Sequence, residues 1–470
     1  MRPQNLHRKL TWFGVLLLTI SCLSPIVSIF GTGGDVLQHA GTGAAATFLL
    51  GIAVAVVWAV IYAELGSAYP YAGGDYVGVG RILGPWAGFA SLTLWSATAG
   101  PGTAFLVRTL GVYFCDLVPT ASPGPVTFLA LLAATAVALL AVRTSALITG
   151  LFLAVEMVAV VALIAAGLWH PARSLGAALL HPVTLGAAGA TVPTALGAMG
   201  LAAVSAAYAT TGGNQAVAFG EELIEPHRYM GHVVMLAAAI GALATAVPVI
   251  AVALGAADLG AVLGSKAPFS TFVAGVAGPL AGRALSAGVI VSLFNALVAA
   301  LMFYARLLFS LGRDAIFHGA VNAQLAAVHT DSGAPRVATV VFSLITGACC
   351  LLATHTLIVF TSGLTVYSLA LVSIAVLVGR RRCLTGQPGY WRSPLYPLAP
   401  LLGILLALAF GIADLADGAE GRPSLLLLGA IIAAGLAWHH LVLRRRPGGW
   451  TPMVLMPSAE AVAQRADAID

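Results

Sequence analysis

Two short stretches carry the residue types that hold small molecules through bared backbone. The first, Ser28 to Asp35, reads SIFGTGGD, with Gly31, Gly33 and Gly34 around Thr32. The second, Tyr208 to Gln215, reads YATTGGNQ, with Gly212 and Gly213 set among Thr210, Thr211 and Asn214. Glycine interrupts a helix and uncovers its N–H and C=O groups. The resumed half-helix offers N–H groups that attract a carboxylate; the interrupted half offers carbonyls that attract an ammonium or a cation. Two such interruptions facing each other hold a zwitterion. The candidate binding residues are therefore Ser28, Ile29, Gly31, Thr32, Gly33 and Gly34 in the first stretch, with Tyr208, Thr210, Thr211, Gly212, Gly213 and Asn214 in the second. Close helix packing through small residues is the competing account of either stretch alone. The recurrence of paired glycines beside hydroxyl and amide groups favours a binding site.

A third candidate is a charge. Glu156 lies inside the apolar run LFLAVEMVAVVALI. An ionisable residue deep in a spanning segment is costly and marks function by default. Glu156 is a candidate for taking up and releasing a proton; the alternative is a fixed counter-charge or a hydrogen-bonded buried acid. Asp35 either binds an amine or lies in a wet outer vestibule, and the vestibule is favoured. Glu64 precedes the Tyr69-Pro70 and Gly73-Gly74 turn and is expected to fix an inner gate with Arg81 or Arg143. Glu221, Glu222, Arg313 and Asp314 read as anchors of loops and of a helix end.

The elements that must position these residues are membrane helices. Hydrophobic residues make up 60% of the 470, charged residues only 8%, and the mean hydropathy is +0.97. Soluble domains carry about 25% charged residues. So little charge cannot cover a water-facing surface, which excludes a soluble enzyme. The net charge of +5 comes from basic residues beside apolar runs, and nothing calls for nucleic acid. The five cysteines show no CxxC or Cys/His spacing, so neither a metal site nor a disulfide framework is expected. No HExxH motif or clustered nucleophile and base appears, so the chain reads as no enzyme and needs no cofactor.

About twelve apolar segments, each near the roughly 20 residues of a span, cover 12–38, 43–65, 85–112, 126–143, 147–168, 194–219, 231–256, 282–312, 336–354, 357–379, 395–417 and 423–444. The first follows MRPQNLHRKL, exceeds the apolar core of a signal peptide and has no A-x-A site after it, so it reads as a retained helix. With the N-terminus in the cytoplasm, only Arg108, Arg173, Lys266, Arg283 and Arg422 of the 22 basic residues fall outside. Cytoplasmic loops are expected to hold that excess. The expected location is the cytoplasmic (inner) membrane, with both ends in the cytoplasm. The connections 169–193 and 257–281 are expected to be re-entrant or to lie on the membrane surface. Interruptions in the first and sixth segments point to an inverted repeat. The expected division is a cytoplasmic N-terminus 1–11, a first repeat 12–168, a second repeat 194–354 with its last helix at 357–379, two peripheral helices 395–444 and a cytoplasmic tail 445–470.

The stretches SCLSPIVSIFGTGG, YAELGSAYPYAGGDYVGVGRILGPWAGF and YATTGGNQAVAFGEELIEPHRYMG resemble the amino acid–polyamine–organocation (APC) superfamily of amino acid permeases. The middle one is the most specific: an acidic residue, Leu-Gly, Tyr-Pro, Ala-Gly-Gly and an aromatic after the second helix. The resemblance covers helices one to eight well and the rest more loosely. It implies an all-α polytopic protein of the LeuT type, with five helices repeated in inverted orientation, broken first and sixth helices and two peripheral helices. It also implies secondary active transport of amino acids or related amines by alternating access.

The run VRTSALITGLFLAVE resembles proton-coupled members in which a lysine faces the first and eighth helices; here Glu156 stands in that place. The chain departs from the family pattern at three points. Gly31-Thr32-Gly33-Gly34 replaces Gly-Ser-Gly-Ile, RDAIFH puts Ala315 and His318 at the Gly and Pro positions, and the lead-in LAAVSAAYATT is small where aromatics are common. These departures bear on the substrate and its gate. Sodium sites of this fold use a hydroxyl pair in the eighth helix. VIVSLFNALVAALMF offers only Ser292 and Asn295, whose expected role is helix-to-helix hydrogen bonding. The expectation is proton-coupled symport of a small-molecule amino acid or amine in the lipid bilayer. Exchange is the alternative, and a transporter-like amine sensor is a further one. The oligomeric state stays open.

Overall fold

The computed structural model describes residues 9–446, apart from 119, 141, 170, 187–189, 266, 330–333, 353 and 417–420. The expectations for the N-terminal eight residues, for Lys266, for Arg465 and for the tail beyond 446 lie outside the described residues. Arg143 lies in a helix whose side chains there are likewise outside them.

Helix α1 (Trp12–Leu23) starts at Thr11, whose hydroxyl accepts from Gly14 N–H at 3.2 Å. It stops at Ser24, and Pro25 opens the single turn α2 (Pro25–Val27). A π-helical stretch, Ser28–Gly33, leads into α3 (Gly34–Ala40). Helix α4 (Ala44–Ala68) runs to Tyr69-Pro70, where proline ends it. Gly74, at φ +66°, turns the chain into α5 (Asp75–Leu83), and Pro85 opens α6 (Pro85–Leu117). Helices α7 (Pro123–Ala138) and α8 (Val142–Leu168) follow. The connection after α8 contains α9 (Leu175–Leu180) and an antiparallel hairpin, β1 (Val183–Leu185) with β2 (Thr191–Pro193), in register Val183↔Pro193.

Helix α10 (Leu196–Thr210) ends in a second interruption, and a 3-10 stretch, Gly213–Phe219, continues to α11 (Pro226–Gly255). The next connection folds as α12 (Leu259–Leu263) and α13 (Pro268–Ala277). The long helix α14 (Pro279–Arg313) precedes α15 (Gly319–Leu325), α16 (Arg336–Cys349), α17 (Thr354–Arg381), α18 (Leu398–Ala416) and α19 (Gly421–Trp438).

The chain is an all-α polytopic membrane protein. Trp12–Ala68, Leu151–Leu168, Pro226–Gly255, Pro279–Arg313 and Leu425–Leu443 are long and apolar enough to cross a membrane, and shorter apolar helices accompany them. Helices satisfy their own backbone, the condition for crossing lipid. The core forms where α11 packs on α4 and α8, α10 on α4, and α14 on α6 and α8. By contrast α18 turns Leu401, Leu405, Leu408 and Ile412 outward, and α8 does the same with Leu151, Val158 and Val161. Apolar residues facing out in this way suit lipid.

Candidate functional site

The first interruption lies at Ser24-Pro25, not at the glycines as expected, because Gly31, Gly33 and Gly34 stay in continuous helical geometry, and it is a kink with a charge built into it. Ser24 takes the left-handed conformation, φ +37°, unusual for a residue with a side chain. Its N–H still reaches Ile20 O at 2.9 Å, which closes α1. The first free N–H of the resumed turn, from Ile26, donates to Glu156 Oε1 at 2.8 Å, and the Ser24 hydroxyl donates to the same oxygen at 3.0 Å. Glu156 comes from the middle of α8 and is fully buried. A carboxylate at the start of a helical turn is the favoured partner for its unpaired N–H groups. Glu156 Oε2 is buried and has no partner among the described residues. Beyond this cap the chain winds as a π-helix from Ser28 to Gly33, a geometry that recurs at functional positions.

The second interruption is built differently. Thr211 N–H closes α10 on Ala207 O and Tyr208 O. The hydroxyls of Thr210 and Thr211 bond carbonyls of their own helix, at 3.0 Å to Ala206 O and 3.1 Å to Tyr208 O. Gly212 then adopts φ +137°, open to glycine and strained for other residues. A methyl at Gly212 would collide with Leu23 Cδ2, and one at Gly213 would lie 2.6 Å from Val234 O. Asn214 Oδ1 accepts from Trp58 Nε1–H at 3.2 Å, and the Trp58 ring stacks on Tyr62 at 5.2 Å.

The structure brings the two stretches together. Helix α10 packs on the π-helical stretch Ser28–Gly33, and α1 packs on Gly213–Phe219. Ser28, Gly31, Thr32, Tyr208, Thr211 and Gly212 are half-buried, whereas Ile29, Gly33, Gly34, Thr210, Gly213 and Asn214 are buried. The glycines differ in their surroundings. A methyl at Gly33 would lie 2.8 Å from Val249 Cγ2, so Gly33 serves close approach to α11. One at Gly31 would meet only Phe105, at 3.7 Å, so Gly31 has room to spare.

Other candidates lie apart from this centre. Asp35 is exposed and pairs with His39 at 3.3 Å. Arg81 is exposed. The partner of Glu64 is Arg380, not Arg81: Arg380 donates to both carboxylate oxygens at 2.8 and 2.6 Å, with Thr385 Oγ1 and Ser393 N–H completing the shell. The return of α17 to the end of α4 brings Arg380 there, a long-range meeting with no local sequence signal. Glu222 forks onto Arg306 at 2.9 Å and Glu221 onto Arg313 at 2.7 Å, so the expected anchors are ion pairs between elements. Ser292 bonds Gly288 O of its own helix. Asn295 has both amide atoms buried without a partner among the described residues, so the expected helix-to-helix bonding by this pair is not seen.

Sequence reasoning missed Ser24, the serine that turns α1 toward Glu156. A Ser-Pro pair inside an apolar run signals an N-terminus and could have found it. It also missed Asp75, a buried carboxylate that accepts from Tyr62 Oη at 2.8 Å and Trp95 Nε1 at 2.6 Å. Nothing local marks Asp75, because its burial comes from helices that meet it through the fold.

Comparisons with known proteins identify the family. Residues 10–433 match the family described as "Amino acid permease". An 87-residue stretch is 42% identical to the Asc-type amino acid transporter 1 of Mus musculus, covering 17% of this chain and 16% of that protein. The proteins of the same name from Rattus norvegicus and Homo sapiens match with the same identity and coverage. The match thus spans about a sixth of the length of these curated relatives. The family match covers nearly the whole chain and takes in both interruptions and Glu156: the chain belongs to the amino acid permease family of the APC superfamily.

Proposed function

We propose that the chain is a secondary active transporter that carries amino acids or related amines across the cytoplasmic membrane by alternating access, coupled to protons. The observation that carries this reading is Glu156 at the first interruption. One carboxylate oxygen holds Ile26 N–H and the Ser24 hydroxyl, while the other is buried without a partner among the described residues. An intramembrane acid in a transporter is a natural proton carrier. Its position makes protonation and the shape of the break interdependent, because the same carboxylate caps the resumed turn. The substrate's carboxylate and ammonium are read onto the π-helical stretch Ser28–Gly33 with Gly34 and onto the interruption at Tyr208–Asn214. The described helices are read as about twelve spans in a LeuT-type arrangement, two inverted repeats (12–168, and 194–354 with 357–379) followed by peripheral helices. The Glu64–Arg380, Glu222–Arg306 and Glu221–Arg313 pairs are read as the closed cytoplasmic side.

The test is uptake into sodium-free vesicles holding purified protein, with an inward proton gradient and individually labelled amino acids and amines. The reading expects accumulation of one chemical class, abolished by a protonophore. Uptake that requires internal substrate and ignores the gradient would replace symport with exchange. Binding without flux would replace both with a sensor.

A further inference from the structure

Among the described residues, five buried carboxylates lie in this protein: Glu64, Asp75, Glu156, Glu222 and Asp314. Three have a cation beside them: Arg380 at 2.6 Å from Glu64, Arg306 at 2.9 Å from Glu222 and Arg313 at 3.7 Å from Asp314. Glu156 caps the first interruption. Asp75 is the remaining one, and no arginine, lysine or histidine among the described residues pairs with it. A buried carboxylate held only by neutral donors still attracts a positive charge.

Asp75 opens helix α5, and an acid there complements the helix dipole. The observed bonds show more than that. Tyr62 and Trp95 both donate to Oδ2, so the carboxylate is anchored by two other helices, and the backbone N–H of Asp75 bonds the same carboxylate. A pocket of about 20 Å³ adjoins it, lined by Gly73, Asp75, Trp95, Asn214 and Phe303 among others. That is room for one water-sized group. The rings of Trp95 and Phe303 stand edge to face at 6.3 Å and wall the pocket, with Trp95 meeting Asp75 through its Nε1–H edge. Asn214 belongs both to the second interruption and to this pocket, and Asn214, Trp58, Tyr62 and Asp75 form a continuous chain of bonds and stacked rings.

We propose that the pocket at Asp75 is a subsite for a primary ammonium group on the substrate's side chain, reached from the second interruption. The inference rests on the permease reading and narrows it: the preferred substrates carry a second, aliphatic amine. Asp75 supplies the counter-charge, and Trp95 and Phe303 form the walls. The pocket has room for one water-sized group, which suits a single ammonium head.

The experiment measures competition by lysine and by its uncharged isostere 2-aminoheptanoate against a transported neutral amino acid, in sodium-free vesicles. The wild-type protein is expected to prefer lysine. Asp75→Asn should shift the lysine-to-isostere ratio by about tenfold or more against lysine, the scale of a hydrogen bond to a charged group. Trp95→Phe keeps the ring and removes one donor to Asp75. It should shift the ratio the same way by a smaller factor, and it carries the test if Asp75→Asn does not fold. Equal inhibition by the two compounds in the wild type, while the neutral amino acid is transported, would overturn the subsite and leave the permease reading standing. An unchanged ratio in both variants would do the same, and a lysine preference that appears only with added sodium would assign the pocket to a metal cation. A wild type that moves no amino acid or amine would overturn both.

Discussion

The two interruptions solve one problem in opposite ways. At the first, the freed N–H of Ile26 is taken by a carboxylate from another helix, so the break holds a group that can change its charge. At the second, threonine hydroxyls bond their own helix and Gly212 and Gly213 sit hard against Leu23 and α11, so the break is held by shape. On the proposed reading the first responds to protons, while the second responds to fit and, beside Asn214, to the charge of Asp75. On the proposed transport cycle, coupling belongs to the first break and selectivity to the second.

The comparison breaks most readily at Gly212. Valine there must adopt φ +137° and crowd Leu23, so Gly212→Val should abolish uptake and cut the yield of monodisperse protein. Normal uptake would show that the second break is not held by shape. The next largest effect is expected at the first break. Glu156→Ala leaves Ile26 N–H and the Ser24 hydroxyl without their acceptor, a loss of about 1–3 kcal/mol, readable as a lower unfolding temperature in detergent. An unchanged unfolding temperature would mean that Glu156 does not cap the turn. Trp58→Phe removes the bond to Asn214 and keeps the stack on Tyr62, so a destabilisation of about 1 kcal/mol and a severalfold rise in KM are expected. Gly31→Ala adds a methyl where only Phe105 is near, so the fold should be kept while KM rises modestly; an unchanged KM would remove Gly31 from the ligand surface. Thr210→Val should do least, because that hydroxyl bonds its own helix.

The second break was legible in the sequence because Gly212 and Gly213 act locally, whereas the first was expected at Gly31–Gly34 and lies at Ser24-Pro25. Paired glycines inside an apolar run have few explanations, and Glu156 stood out because charge there is rare. The apolar helices were legible from length and hydropathy alone. What stayed hidden were partners set by tertiary packing. Arg380 reaches Glu64 across more than three hundred residues, and nothing near Glu64 names it. Asp75 carries no local signal either, because its burial comes from Tyr62 of α4 and Trp95 of α6 closing over it. The glycines were legible as special, but not for one reason: Gly33 and Gly213 serve close approach, Gly212 serves a turn, and Gly31 keeps open space.

Proton coupling through Glu156 is tested most directly by comparing wild type and Glu156→Gln in sodium-free vesicles. Glutamine keeps an acceptor for Ser24 and Ile26 and cannot carry a proton. Accumulation driven by an imposed proton gradient is set beside counterflow exchange of the same substrate. If Glu156 carries the proton, the variant loses accumulation by about tenfold or more, the scale of one coupling interaction, while counterflow persists. Gradient-driven accumulation equal to wild type would contradict that role and leave Glu156 as a structural cap.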